Sequence, residues 1–193
     1  MHKGNYLSAI LRSNKTVFSM KDIALLWGEA SRTATRVRLH YYVKEGELFR
    51  IRKGFYAKSK DYNRLELATR IYTPAYVSFE TALAREGVIF QYYSQISIAS
   101  YLTKEIIVDG QVYSFRKIKT SVLTNPIGVE NLNETSLAIK ERAFLDTLYE
   151  NKDYQFDNLR SLNWEIVFEI LPIYGVRSMI KTVNQLYLQS ADH

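Results

Sequence analysis

Cysteine is missing from all 193 residues, which removes disulfides, thiolate metal sites and a cysteine nucleophile. Histidine is almost missing. His2, His40 and His193 are too scattered for any two to share metal-ligand spacing. A serine–histidine–aspartate triad would have to use His40, which lies in the most basic stretch of the chain. Glycine is sparse, and none of the eight falls in a G-x-G-x-x-G or phosphate-loop pattern. No apolar run approaches the roughly 18 residues a membrane span needs, and the N-terminal MHKGNYLSAILRSNK lacks the long apolar centre of a secretion signal. The chain is therefore expected to be cytoplasmic and not an enzyme, with no catalytic residue, metal ligand or cofactor assigned. The carboxylate pairs Glu165/Glu169 and Glu141/Asp146 are expected on solvated helix faces or in salt bridges. Arg142 and Asp146 form an i, i+4 pair of the kind worth about 0.2–0.5 kcal/mol. A carboxylate-metal nuclease leaves only such faint traces, so that alternative stays open.

What is present is positive charge, unevenly spread. Residues 1–60 carry 13 Lys and Arg against 4 Asp and Glu, a net +9. Residues 61–193 carry 13 against 16, a net −3. A basic segment joined to a mildly acidic one suggests a polyanion partner for the first only; the alternative is a solvated basic surface.

The pattern of the first sixty residues sharpens this. Asn5–Arg12 reads as a helix with Leu7, Ile10 and Leu11 on one face, and Thr16–Phe18 as a short strand. Ser19 and Asp22 have capping-box spacing, Met20, Ile23, Ala24 and Trp27 follow a helical period, and Gly28 is a stop. Ser31 caps a second helix that runs to about Glu45 and ends at Gly46. That helix is apolar on two sides. The face of Leu39, Tyr42 and Val43, with Thr35 above, is taken as buried. This leaves Arg32, Thr33, Arg36, Val37, His40 and Tyr41 outward or flanking, with Arg38 near the core edge. Leu48–Arg52 and Phe55–Ala57, joined by Lys53-Gly54, make a ribbon in which Arg50 and Arg52 alternate with Phe49 and Ile51.

Helix, turn, helix and basic ribbon together are the sequence pattern of a winged helix-turn-helix, which sets one helix in a DNA groove. On that reading Arg36 is the base reader, since arginine can bond both O6 and N7 of guanine. Arg32, Thr33 and His40 read or position. Ser31 and the helix N-terminus suit a phosphate oxygen, and Arg50, Arg52 and Lys53 straddle the neighbouring backbone.

Ser59–Asn63 marks the expected boundary between an N-terminal domain, 1–60, and a second, 61–193. Beyond it, Tyr62–Ile71 reads as a connecting helix broken by Pro74. Tyr76-Val77 is extended, Ser78 is a cap, and Phe79–Glu86 is a short helix closed by Gly87. Ile96–Tyr101 alternates, Glu105–Val108 and Gln111–Phe115 flank an Asp-Gly hairpin turn, and Lys119–Leu123 is a further strand candidate. Helices are expected over Ile139–Tyr149, over the stretch holding Trp164, Val167, Phe168 and Leu171, and from Val176 through Tyr187. The fold class is α+β: an N-terminal winged helix-turn-helix, then a small, mostly antiparallel sheet with C-terminal helices.

Three stretches resemble one family. VKEGELFRIRKGFYAKS (Val43–Ser59) is similar to the basic wing of the AbiEi-type antitoxins of bacterial abortive-infection, or type IV, toxin–antitoxin systems. AYVSFETALAREGVI (Ala75–Ile89) is similar to the segment after that family's linker. LAIKERAFLDTLYE (Leu137–Glu150) is similar to its Glu-Arg-Ala-x-x-Asp helix, with Lys140 where the family has proline or a small residue. The resemblance implies a winged helix that binds double-stranded DNA at operator repeats upstream of its own operon and represses it. It also implies a second domain that neutralises a nucleotidyltransferase-like toxin without a stable complex. Arg36, Arg50, Arg52 and Lys53 carry over only as basic positions. Apart from the resemblance, Glu141, Arg142 and Asp146 read as an interdomain or helix-cap network rather than a reactive site. The alternatives are a regulator whose second domain binds a ligand or partner, and an RNA-acting protein or enzyme that uses the winged helix only to dock.

Overall fold

The computed structural model describes residues 3–191, so His2 and His193 lie outside it. The basic N-terminal segment folds as α1 (Lys3–Arg12), β1 (Val17–Ser19), α2 (Met20–Trp27), α3 (Arg32–Lys44), β2 (Phe49–Arg52) and β3 (Phe55–Ala57). The three strands form one antiparallel sheet in the order β1-β3-β2. Local chemistry sets each boundary. The Ser19 hydroxyl oxygen accepts from the Asp22 N–H at 3.1 Å, and Asp22 Oδ2 accepts from the Ser19 N–H at 2.8 Å, so α2 opens on a complete capping box. Gly28 closes α2 in the left-handed region at φ 60°, where a Cβ would be strained.

Ile10, Phe18, Ile23, Trp27, Leu39, Tyr42, Leu48 and Tyr56 form the core of this unit. The expected buried face of α3 is present, with Thr35, Leu39 and Tyr42 buried. Leu11 is a correction. It is half exposed, because α1 presents Ile10 rather than Leu11 to α2 and α3.

The rest of the chain is α4 (Arg64–Ile71), β4 (Ala75–Val77), α5 (Phe79–Arg85), β5 (Ile96–Ser100), β6 (Lys104–Val108) and β7 (Gln111–Lys117). It continues with α6 (Thr120–Leu123), β8 (Val129–Leu132), β9 (Thr135–Ala138), α7 (Lys140–Glu150), α8 (Trp164–Ile170) and α9 (Arg177–Ala191). The fold is mixed α+β, but the second sheet is larger than the sequence suggests. Six strands run in the order β6-β7-β5-β4-β9-β8. Two of its neighbouring pairs are parallel, β5 with β7 and β4 with β9, so the sheet is mixed. The β8–β9 hairpin is the unforeseen part, because its turn residues Asn133 and Glu134 take positive φ without a glycine. The expected Lys119–Leu123 strand is instead the short helix α6, which follows directly from β7. Ser78 does not cap α5. Its hydroxyl donates to Asp146 Oδ2 at 2.7 Å.

The Arg142–Asp146 pair is a salt bridge, one of the two expected arrangements, but it is not solvated. Both side chains are fully buried, with Arg142 Nε 3.4 Å from Asp146 Oδ1. Arg142 donates to the carbonyls of Val122 at 2.7 Å and Ile127 at 2.6 Å, and to the Tyr76 hydroxyl oxygen at 2.9 Å. Asp146 accepts from the hydroxyls of Tyr174, Ser78 and Tyr76 at 2.6, 2.7 and 3.0 Å. The cluster pins the α6–β8 loop, β4 and the turn after α8 onto α7. Gly128 makes the closest approach. A Cβ there would meet Arg142 Cβ at 2.9 Å and Ile170 Cδ1 at 2.8 Å.

The two units are joined by polar contacts and by apolar packing. Val17 and Ala57 of the first sheet belong to the large core of the second unit. Glu66 on α4 accepts from Thr16, and Arg70 on the same helix reaches Asp22 at 3.4 Å and Glu134 at 3.0 Å. No helix among the described residues is long and apolar enough to cross a membrane.

Candidate nucleic-acid interface

Cationic side chains in the N-terminal unit divide into those with internal partners and those without. Arg38 has partners. Its guanidinium lies 3.1 Å from Glu29 and 4.0 Å from the centre of the Tyr6 ring. The Ser31 N–H, and then Arg38, hold the Glu29 carboxyl below its ordinary value. Lys15 is 3.4 Å from Asp22. The Lys58 ammonium donates to the carbonyls of Leu11 and Ser13 at the end of α1, where the helix dipole favours a cation.

Arg32, Arg36, Arg50 and Lys53 are different. All four are exposed, and among the described residues none has a carboxylate within ion-pair distance. With His40 they line one open groove of about 890 Å³ between α3 and the β2–β3 ribbon. Arg32, Arg36 and His40 lie at i, i+4 and i+8, so they form one stripe along α3. Arg50 and Lys53 face that stripe from the ribbon, and Met20, Val43 and Tyr56 are part of the lining between them. Five of the eight residues singled out from the sequence therefore share one concave surface.

Ser31, Thr33 and Arg52 do not line it. The Ser31 hydroxyl oxygen accepts from the Ala34 N–H at 3.2 Å and so serves as the helix cap. Thr33 is exposed on the first turn, one residue round from Arg32. Arg52 is half-buried, with a buried Nη1 that has no hydrogen-bond partner among the described residues. Its position follows from a bulge in the ribbon: Arg50 pairs with Tyr56 but Arg52 with Phe55, so Ile51 is the extra residue. The simple alternation read from the sequence breaks at that point.

A smaller cleft of about 410 Å³ continues from the groove past Met20, Arg32 and Gly54 to Lys21 and Thr35. Glu29 lines this cleft beside Lys21, so the unpaired positive charge is confined to the larger groove. In the acidic unit the buried Arg142–Asp146 pair is used internally. Burial pushes the Asp146 carboxyl up, against the pull of Arg142 and of the three hydroxyls that donate to it. Among the described residues no three His, Asp or Glu side chains are placed to hold a metal ion.

No protein-family model matches the chain, and no curated protein matches it.

Proposed function

We propose that the N-terminal unit is a winged helix-turn-helix, that α3 enters the major groove of double-stranded DNA, and that the protein represses transcription of its own operon. The observation that carries this reading is the groove between α3 and the ribbon, where Arg32, Arg36, Arg50 and Lys53 converge without carboxylate partners among the described residues. Four cations facing one concavity repel one another, and a polyanion relieves that repulsion. In the proposed complex Arg36 bonds a guanine edge and Arg32 and His40 flank it. Arg50 and Lys53 contact the phosphates beside the groove. Ser31 supports the site through the helix N-terminus and Thr33 adds a contact on the first turn. Arg52, set aside from the groove by the bulge, is assigned no contact.

The wing, linker and α7 motifs extend the proposal to the second unit. Their similarity to the AbiEi-type antitoxins supports a role in neutralising a nucleotidyltransferase-like toxin encoded in the same operon, without a stable complex. The test is a mobility shift with the full chain on the DNA upstream of its own gene, run beside an unrelated duplex. Retardation of the upstream fragment at lower protein concentration supports the repressor. Equal retardation of both, or none, overturns it. The toxin half has a separate test: co-expression with the neighbouring gene product should relieve its growth inhibition.

A further inference from the structure

Beside the cationic stripe on α3 runs a second one that the charges do not explain. Thr33, Val37 and Tyr41 lie at i, i+4 and i+8, and all three are exposed. Val37 is 65% exposed and Tyr41 58%, on a helix whose opposite face supplies Leu39 and Tyr42 to the core. Single exposed apolar residues need no explanation. Two of them one turn apart, next to the stripe of Arg32, Arg36 and His40, form an apolar edge along a proposed contact surface. Both are held in place. Valine has essentially one χ1 rotamer in a helix. The Tyr41 ring stands edge-on to buried Tyr42 at 5.6 Å, so little conformational freedom is lost on contact.

We propose that this stripe reads thymine, with Val37 as the residue that selects it through the 5-methyl group. The inference rests on the reading that α3 lies in a major groove. The 5-methyl of thymine is the apolar group a base pair offers on that groove's floor. A valine side chain next to a guanine-reading arginine meets it at the base pair beside the one Arg36 contacts. Val37 thus sets sequence preference while adding nothing to the electrostatic attraction.

The experiment uses the full chain and a selection from a random duplex pool, followed by replacement of each thymine in the selected site by deoxyuridine, which removes only the methyl. Deoxyuridine at one or two thymines should weaken wild-type binding about fourfold, the worth of one buried methyl group. Val37→Ala should bind the thymine duplex with that same loss and be indifferent to deoxyuridine. Alanine is the best helix former, and the site is exposed, so α3 is retained. Wild-type binding that no deoxyuridine weakens, or a deoxyuridine effect that survives in Val37→Ala, overturns the inference and leaves the DNA reading standing. A selection that enriches no duplex overturns both.

Discussion

Glu66 on α4 holds Thr16 by two bonds at once, accepting from its backbone N–H at 2.9 Å and from its hydroxyl at 2.6 Å. The carboxylate is essentially inaccessible to water, and Arg70 Nε is 3.1 Å away as its counter-charge. This residue joins the end of the α1–β1 connection in the basic unit to the first helix of the acidic one. Glu66→Ala leaves the half-buried Thr16 N–H without this acceptor and Arg70 with one counter-ion fewer. It should cost about 1–3 kcal/mol, read as a lower midpoint in urea. A variant as stable as wild type would mean that the joint is carried by apolar packing alone.

Asp22 ties pH to the same joint. Burial raises its carboxyl, but the Ser19 hydroxyl and N–H, then Lys15 and Arg70, outweigh burial and hold it below the ordinary 3.8. A carboxyl depressed on folding stabilises the native state above its unfolded value, and that stability is lost as pH falls through the folded value. Asp22→Ala should therefore be less stable than wild type by about 1 kcal/mol at pH 7. The gap should hold constant down to pH 5 and close as the pH drops below 3.8. Parallel denaturation series at several pH values check this; a gap that widens in acid would reverse the assignment.

The Arg142–Asp146 cluster predicts a non-additive result. Removing either partner leaves a charge without its counter-ion in a site sealed from water, so Arg142→Met and Asp146→Leu should each cost about 3–5 kcal/mol. The double variant should cost less than the sum of the two, because no unpaired charge remains. Strict additivity would show that the two side chains act independently.

On DNA, Arg36→Ala should cost about 1–3 kcal/mol on the preferred site and relax sequence preference. Lys53→Ala should weaken all duplexes alike. Equal losses on preferred and random DNA for Arg36→Ala would remove it as a base reader.

The basic unit was largely legible because its signals are local. A capping box, two glycine stops and helical periods fix α2 and α3, and the ribbon turn Lys53-Gly54 is explicit. Arg52 was misread in orientation because a bulge leaves no mark in a period-two pattern. The acidic unit was legible in its helices and its Asp-Gly hairpin. Its strands β4 to β7 were legible as extended or alternating stretches, but their pairing was not. β5 is buried along its whole length, so its alternation does not say which neighbours it takes. The Asn133-Glu134 turn closes a hairpin without the usual glycine. Arg142 and Asp146 read as an i, i+4 pair on a solvated face or in a salt bridge, because that spacing says nothing of burial. Only tertiary packing brings Tyr76, Ser78 and Tyr174 around them.

The most direct measurement is the salt dependence of binding between the full chain and the duplex upstream of its own gene. Cations aimed into one groove should release several counter-ions from the DNA. The logarithm of the association constant should then fall against the logarithm of salt concentration with a slope of roughly −3 to −5. Arg50→Ala and Lys53→Ala should each make that slope shallower by about 1. Binding that is flat in salt, or no binding to that duplex at low salt, would contradict the account.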